Sequence, residues 1–199
     1  MKSGKTQNKE DTHMATIGMR YVVAAPISTE SGSTITYGTK QTMKAVEASL
    51  NWERDDGKMY ADDAVAETDG SVIGYTLDTT VDNMTDAQEA ALFGHEKDQS
   101  TDEYTVYGEA VPYSGIGYVR VLKKGGNMKY KAIFYPKIQL TRQSESDKTK
   151  EATVTWNAVP IHGVGMGVFE STGKNKFRQH QTFDTMASAV AYLDGKFST

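Results

Sequence analysis

The chain has 199 residues, room for one domain with long arms. Its formal net charge of −4 argues against the clustered cationic channel that duplex binding needs, and the lack of cysteine excludes disulfides, zinc–thiolate sites and thiol nucleophiles. The longest apolar run, 21–27, is far too short to span a bilayer, and the polar N-terminus carries no visible signal peptide.

Residues 1–13, MKSGKTQNKEDTH, have almost no apolar content and read as a disordered tail, an extension ahead of a start at Met14. They carry three lysines and two acids, so the body from Met14 onward stands at −5. That body, 14–199, reads as a single mainly β domain. In KAVEASLNWE, Val46, Ala48, Leu50 and Trp52 alternate with Glu47, Ser49, Asn51 and Glu53, which predicts a strand with one buried and one wet face. Ile73, Tyr75, Leu77 and Val81 repeat the pattern. Between the two lies a long acidic connection, 54–70, holding GKMYADD.

Tyr-Ala-Asp-Asp is the metal-holding signature of reverse transcriptases, but a polymerase needs a third distant carboxylate and a nucleic-acid channel that a chain this size cannot supply. Glu53, Asp55, Asp56, Glu67 and Asp69 surround Asp62 and Asp63, so the motif reads as a solvated acidic turn. Next comes a helix, TDAQEAALFG, with Thr85 and Gln88 as a capping box and Gly94 as its stop. Further strands are expected at 104–111, 116–123, 128–140 and 152–161, with a short one near Val168. Glycine turns fall at 124–127 and 172–175. The glycine run His162-Gly-Val-Gly-Met-Gly167 precedes no capped helix, so it predicts close backbone packing and not a phosphate loop. The four histidines show no metal-ligand spacing. In TFDTMASAVAYLDGKF, Phe183, Met186, Ala187, Val190, Leu193 and Phe197 form one apolar helical face, capped by Asp184 or Thr182 and ended by Gly195. The sum is an antiparallel β-sandwich or barrel with a short internal helix and a C-terminal helix.

Taken in order, MATIGMRYVVAAPI, ITYGT at 35–39, KMYADD, the glycine-initiated strand 70–81, the helix 85–94 with Leu92 and Gly94, and FDTMASAVAYLDGKF resemble the major tail proteins of long-tailed, siphovirus-type bacteriophages. The resemblance covers nearly all of 14–199. It implies a non-enzymatic tail-tube protomer, without cofactor or metal, on a β-sandwich or barrel with a flanking helix. Such subunits form hexameric rings stacked into a hollow tube that delivers DNA. The implied partners are other copies of the chain, the tape-measure, terminator and distal tail proteins, and DNA in transit without specific binding. No membrane is involved. The implied location is the virion tail, assembled in the host bacterial cytoplasm.

Against that expectation, Glu47, Ser49, Asn51 and Glu53 form a polar strand face without Lys or Arg, suited to a lumen that must not hold phosphates; an ordinary solvent face fits the same pattern. The segment 53–69 holds seven acids (Glu53, Asp55, Asp56, Asp62, Asp63, Glu67 and Asp69) against Arg54 and Lys58. The segment 120–137 holds Arg120, Lys123, Lys124, Lys129, Lys131 and Lys137 with no acid. The two are expected to meet between subunits, or else to stay solvated or pair within one. The alternative function is a non-enzymatic binding module, a virion decoration or carbohydrate-binding sandwich, with Tyr104, Tyr107, Tyr113 and Tyr118 as an aromatic platform.

Overall fold

A computed structural model of the chain describes residues 14–55, 57–61, 64–68, 70–108, 110–145 and 158–198. The expected N-terminal tail, 1–13, lies outside the described residues. The chain is mainly β and antiparallel, with two helices. In order, the elements are β1 (Ala15–Ser31), β2 (Thr34–Tyr37), β3 (Gln41–Met43), β4 (Ala45–Arg54), β5 (Lys58–Ala61), β6 (Ala64–Thr68), β7 (Val72–Val81) and α1 (Asp86–Phe93). Then follow β8 (Glu96–Lys97), β9 (Tyr104–Thr105), β10 (Tyr113–Lys124), β11 (Asn127–Arg142), β12 (Val159–Gly165), β13 (Val168–Phe169), β14 (Asn175–Lys176), β15 (Gln179–Phe183) and α2 (Met186–Phe197).

A nine-stranded sheet runs β2-β1-β10-β11-β12-β7-β4, with β3 also on β1 and β15 also on β11. Strand β11 is long enough to hold two partners on one edge. Its first half pairs with β15 and its second half with β12. The sheet curls so that residues of β7 and β4 share one core with β1, β10 and β11, through Val22, Tyr75, Leu77, Ile116, Tyr118, Ile133 and Tyr135. Helix α1 closes this core with Leu92 and Phe93. Its Thr85/Gln88 capping box and left-handed Gly94 stop are formed as the sequence predicts.

Patterning follows from what covers each face. On β1, Val22 and Ala24 face the main core, while Val23 and Ala25 face a second cluster built with Ala189, Leu193 and Phe197 of α2. Both faces are dry, so the sequence there is an unbroken apolar run without period two. Strands β4, β7 and β12 have no helix over their outer face and keep the alternation.

Several expectations need correction. The predicted strand 104–111 is only the two-residue β9, paired with β8, because the aromatic alternation there meets no partner strand beyond Thr105. The predicted strand 152–161 appears as β12, starting at Val159, while 151–157 lie outside the described residues. The acidic connection contains a ribbon, β5 against β6, with Ala61 opposite Ala64. Val46 is not a core residue. It is the extra residue of a bulge between Ala45 and Glu47, so Ala45 turns inward and Val46 is 55% exposed.

Helix α2 is capped by Thr185 and runs through Gly195 to Phe197. Burial of Phe197 carries the helix past a glycine that propensity alone would make a stop. Phe183 belongs to β15, where it packs on Tyr192, and Ala189 replaces Ala187 on the buried face. The glycine turn 124–127 joins β10 to β11, with φ of 53° and 87° at Gly125 and Gly126.

Candidate functional site

Among the described residues, no helix or strand covers the outer face of β4, β7, β12 and the second half of β11. Registers place its side chains in rows: Glu47 beside Thr80 and Pro160; Ser49 beside Asp78, His162 and Thr141; Asn51 beside Thr76, Val164 and Gln139. Glu53 ends the array beside Gly74, where an added Cβ would fall 2.8 Å from its carboxylate oxygen. The three rows therefore carry hydroxyls, amides, an imidazole, two apolar side chains and the carboxylates of Glu47 and Asp78, with Glu53 at their end; Lys137, on the same side of β11 as Gln139 and Thr141, stands at the margin and is tied to Glu30. All four lumen candidates, Glu47, Ser49, Asn51 and Glu53, are exposed on it. The sequence reading missed Thr76, Asp78 and Thr80, although they alternate with Tyr75, Leu77 and Val81 by the same period that revealed β4. It also missed His162, which falls in the glycine run, Gln139, which sits in a strand whose lysines and apolar residues do not alternate cleanly, and Thr141, which lies beyond the strand end expected at 140.

The local chemistry of the face is held in place. The carboxylate of Asp78 pairs with Nδ1 of His162 at 2.6 Å. Across the sheet the order is Ser49, Asp78, His162, so the imidazole lies two strand spacings, about 10 Å, from the serine strand. A serine nucleophile requires the imidazole next to the hydroxyl; this order separates them by a carboxylate. The glycine run beneath the face serves packing. A Cβ on Gly163 would meet Ile138 at 2.4 Å and one on Gly165 would meet the Tyr75 ring at 1.9 Å, while Tyr75 donates a hydrogen bond to the Lys137 carbonyl.

Among the described residues, β4, ten residues long, is an edge strand of the sheet. Exposed apolar bulge residues sit near both ends of its pairing with β7, Val46 on β4 and Ile73 on β7, the latter 60% exposed. A long edge flanked by exposed apolar groups is a template for pairing with another chain.

Among the acidic-segment candidates, Asp55 is exposed and accepts the Gly57 amide, and Glu67 lies on β6. Asp56, Asp62, Asp63 and Asp69 lie outside the described residues. The basic candidates do not act as one hairpin patch. Lys129 pairs with Asp184, and Lys137 pairs with Glu30 at 2.6 Å and stacks over Tyr113. Lys123 is exposed and Lys124 half-buried near the turn. Arg120 and Lys131 face each other across β10 and β11. Beside them the fold brings Arg178, between the short strands β14 and β15, and His180, within the five-residue β15, a segment too short to show a periodicity.

The aromatic platform of the alternative function does not form. Tyr118 is 2% exposed in the core, Tyr113 lies under Lys137 and Tyr104 under Lys97, and Tyr107 alone is open. Among the described residues no group of three His, Asp or Glu side chains gathers in metal-binding geometry, and no helix is long and apolar enough to cross a membrane. Compared with known proteins, the chain matches no family model and no curated protein sequence.

Proposed function

We propose that this protein is a structural, non-enzymatic subunit that polymerises as stacked hexameric rings into the tail tube of a long-tailed bacteriophage, the conduit through which DNA is delivered. The observation that carries the reading is the open face of β4, β7, β12 and β11, largely polar, acidic at Glu47, Glu53 and Asp78, with Lys137 at its margin already paired with Glu30. A wall of this kind repels phosphates, and the charge of Lys137 at its margin is matched by Glu30. The free edge of β4, with Val46 and Ile73 exposed beside it, supports side-by-side assembly that would carry the face around a ring. The order of the sequence motifs supports the same family, and with it the virion tail as location and the tape-measure, terminator and distal tail proteins as partners.

Negative-stain microscopy with size-exclusion chromatography of the purified chain tests this. Rings or hollow tubes are expected. A compact monomer that binds glycans would replace the reading with the carbohydrate-binding module.

A further inference from the structure

We propose that Arg120, Lys131, Arg178 and His180 form an acceptor for carboxylates of a second copy of this chain, and that its occupant is the acid-rich segment 53–69. The inference deepens the tube reading by naming one contact between copies.

The four groups are drawn together by register. Arg120 is opposite Lys131, Lys131 is opposite Thr182 two residues from His180, and His180 is opposite Ile133. Lys131, Ile133 and Tyr135 share a strand face, so the cations continue the core face outward to where it opens to solvent. Arg178 completes the group and lies 5.2 Å from the centre of the Trp52 ring.

Among the described residues, these cations sense one another. Burial, then Arg178 and Arg120, hold the Lys131 ammonium below the usual lysine range. Burial, then Lys131 and Arg178, lower His180. The acid next along β15, Asp184, is taken by Lys129. Among the described residues, no carboxylate pairs with Arg120, Lys131 or Arg178.

The Tyr135 ring is fully buried beneath the cluster, with Tyr118 and the Arg178 guanidinium beside its hydroxyl. An incoming carboxylate would meet the guanidinium at the solvent side of this layer.

The chain itself carries the complementary charge. Segment 53–69 has seven acids against two bases, and of its described carboxylates Glu53 and Asp55 are exposed. A cationic patch and an acid-rich segment on one chain allow a head-to-tail contact between copies, which repeats into an open polymer.

The test uses four full-length proteins in analytical ultracentrifugation at about 0.1 M and about 1 M salt, where screening lengths are ~10 Å and ~3 Å. Arg120→Gln with Lys131→Gln should melt at or above the wild-type temperature, because it removes repulsion, yet need at least tenfold more protein to assemble. A merely structural role would instead lower the melting temperature and leave assembly alone. Arg120→Glu with Lys131→Glu, and separately Asp55→Lys with Glu67→Lys, should each fail to assemble. Mixed in equal amounts they should form a dimer that high salt dissolves, since one brings an intact segment and the other an intact acceptor. Wild-type rings together with neutral variants that assemble equally well would refute the acceptor and leave the tube reading standing. A wild type that stays monomeric would refute both. A wild type whose cation cluster binds a DNA oligonucleotide, with assembly unaffected in the variants, would reassign the cluster to phosphate.

Discussion

Tyr21 adopts φ of 54°, in the left-handed region that few residues other than glycine occupy, at a bulge of β1. Its hydroxyl donates to Asp194 of α2 at 2.5 Å, and Lys40 holds the same carboxylate at 2.8 Å. Burial, then the bond and the charge of Asp194, push the Tyr21 phenol up to about 12. Burial opposes ionisation of Asp194, but the bonds from Lys40 and Tyr21 outweigh it and keep that carboxyl below its ordinary range. A raised phenol contributes stability below pH ~10 and loses it as pH climbs toward the folded value. Tyr21→Phe should therefore be less stable near neutrality by roughly 1 kcal/mol, and should lose less stability than wild type between pH ~10 and ~12. Urea titrations across that range measure the difference, and parallel curves would show that the bond contributes nothing. Two glycines give a matched pair at the same scale. Gly165→Ala forces a Cβ into the Tyr75 ring and should cost about 1–3 kcal/mol. Gly195→Ala meets open space inside α2 and should stabilise by roughly 0.5–1 kcal/mol. Thermal melts of the two should move in opposite directions.

Among the elements, α2 decides which part of the sheet is dry on both sides. Leu193 is fully buried above Gly117, where an added Cβ would lie 2.8 Å from its methyl. Leu193→Ala should destabilise by about 2–5 kcal/mol, read by chemical denaturation, whereas an undocked arm would tolerate it. The same cover explains what could be read beforehand. Strands β4 and β7 were legible because one face is wet and the alternation survives. The length of β1 was hidden, since Val22 through Ala25 serve two cores and show no period. The α1 caps were legible because Thr85, Gln88 and Gly94 act locally. The end of α2 was misread at Gly195, where tertiary burial of Phe197 overrides propensity. The bulge that ejects Val46 depends on pairing with β7 and left no mark in β4 alone. The open face was half legible, through Glu47 to Glu53; the Arg178 and His180 part of the basic cluster exists only once β15 lies on β11.

At the scale of the whole molecule, the fold separates its charges. The open face holds carboxylates and small polar groups, the unpaired cations gather where the core opens, and β4 leaves a backbone edge free. If the open face lines a channel, Glu47→Lys with Glu53→Lys should preserve assembly but retain DNA. Labelled duplex should co-sediment with variant tubes at low salt and not with wild-type tubes. The most direct test of the account is a three-dimensional cryo-electron microscopy reconstruction of the polymer formed by the purified protein. A hollow tube is expected whose inner wall is β4, β7, β12 and β11, with Glu47, Ser49, Asn51, Thr76 and Asp78 pointing into the lumen. A tube with that face on its outer surface, or a protein that remains monomeric at every concentration, would contradict it.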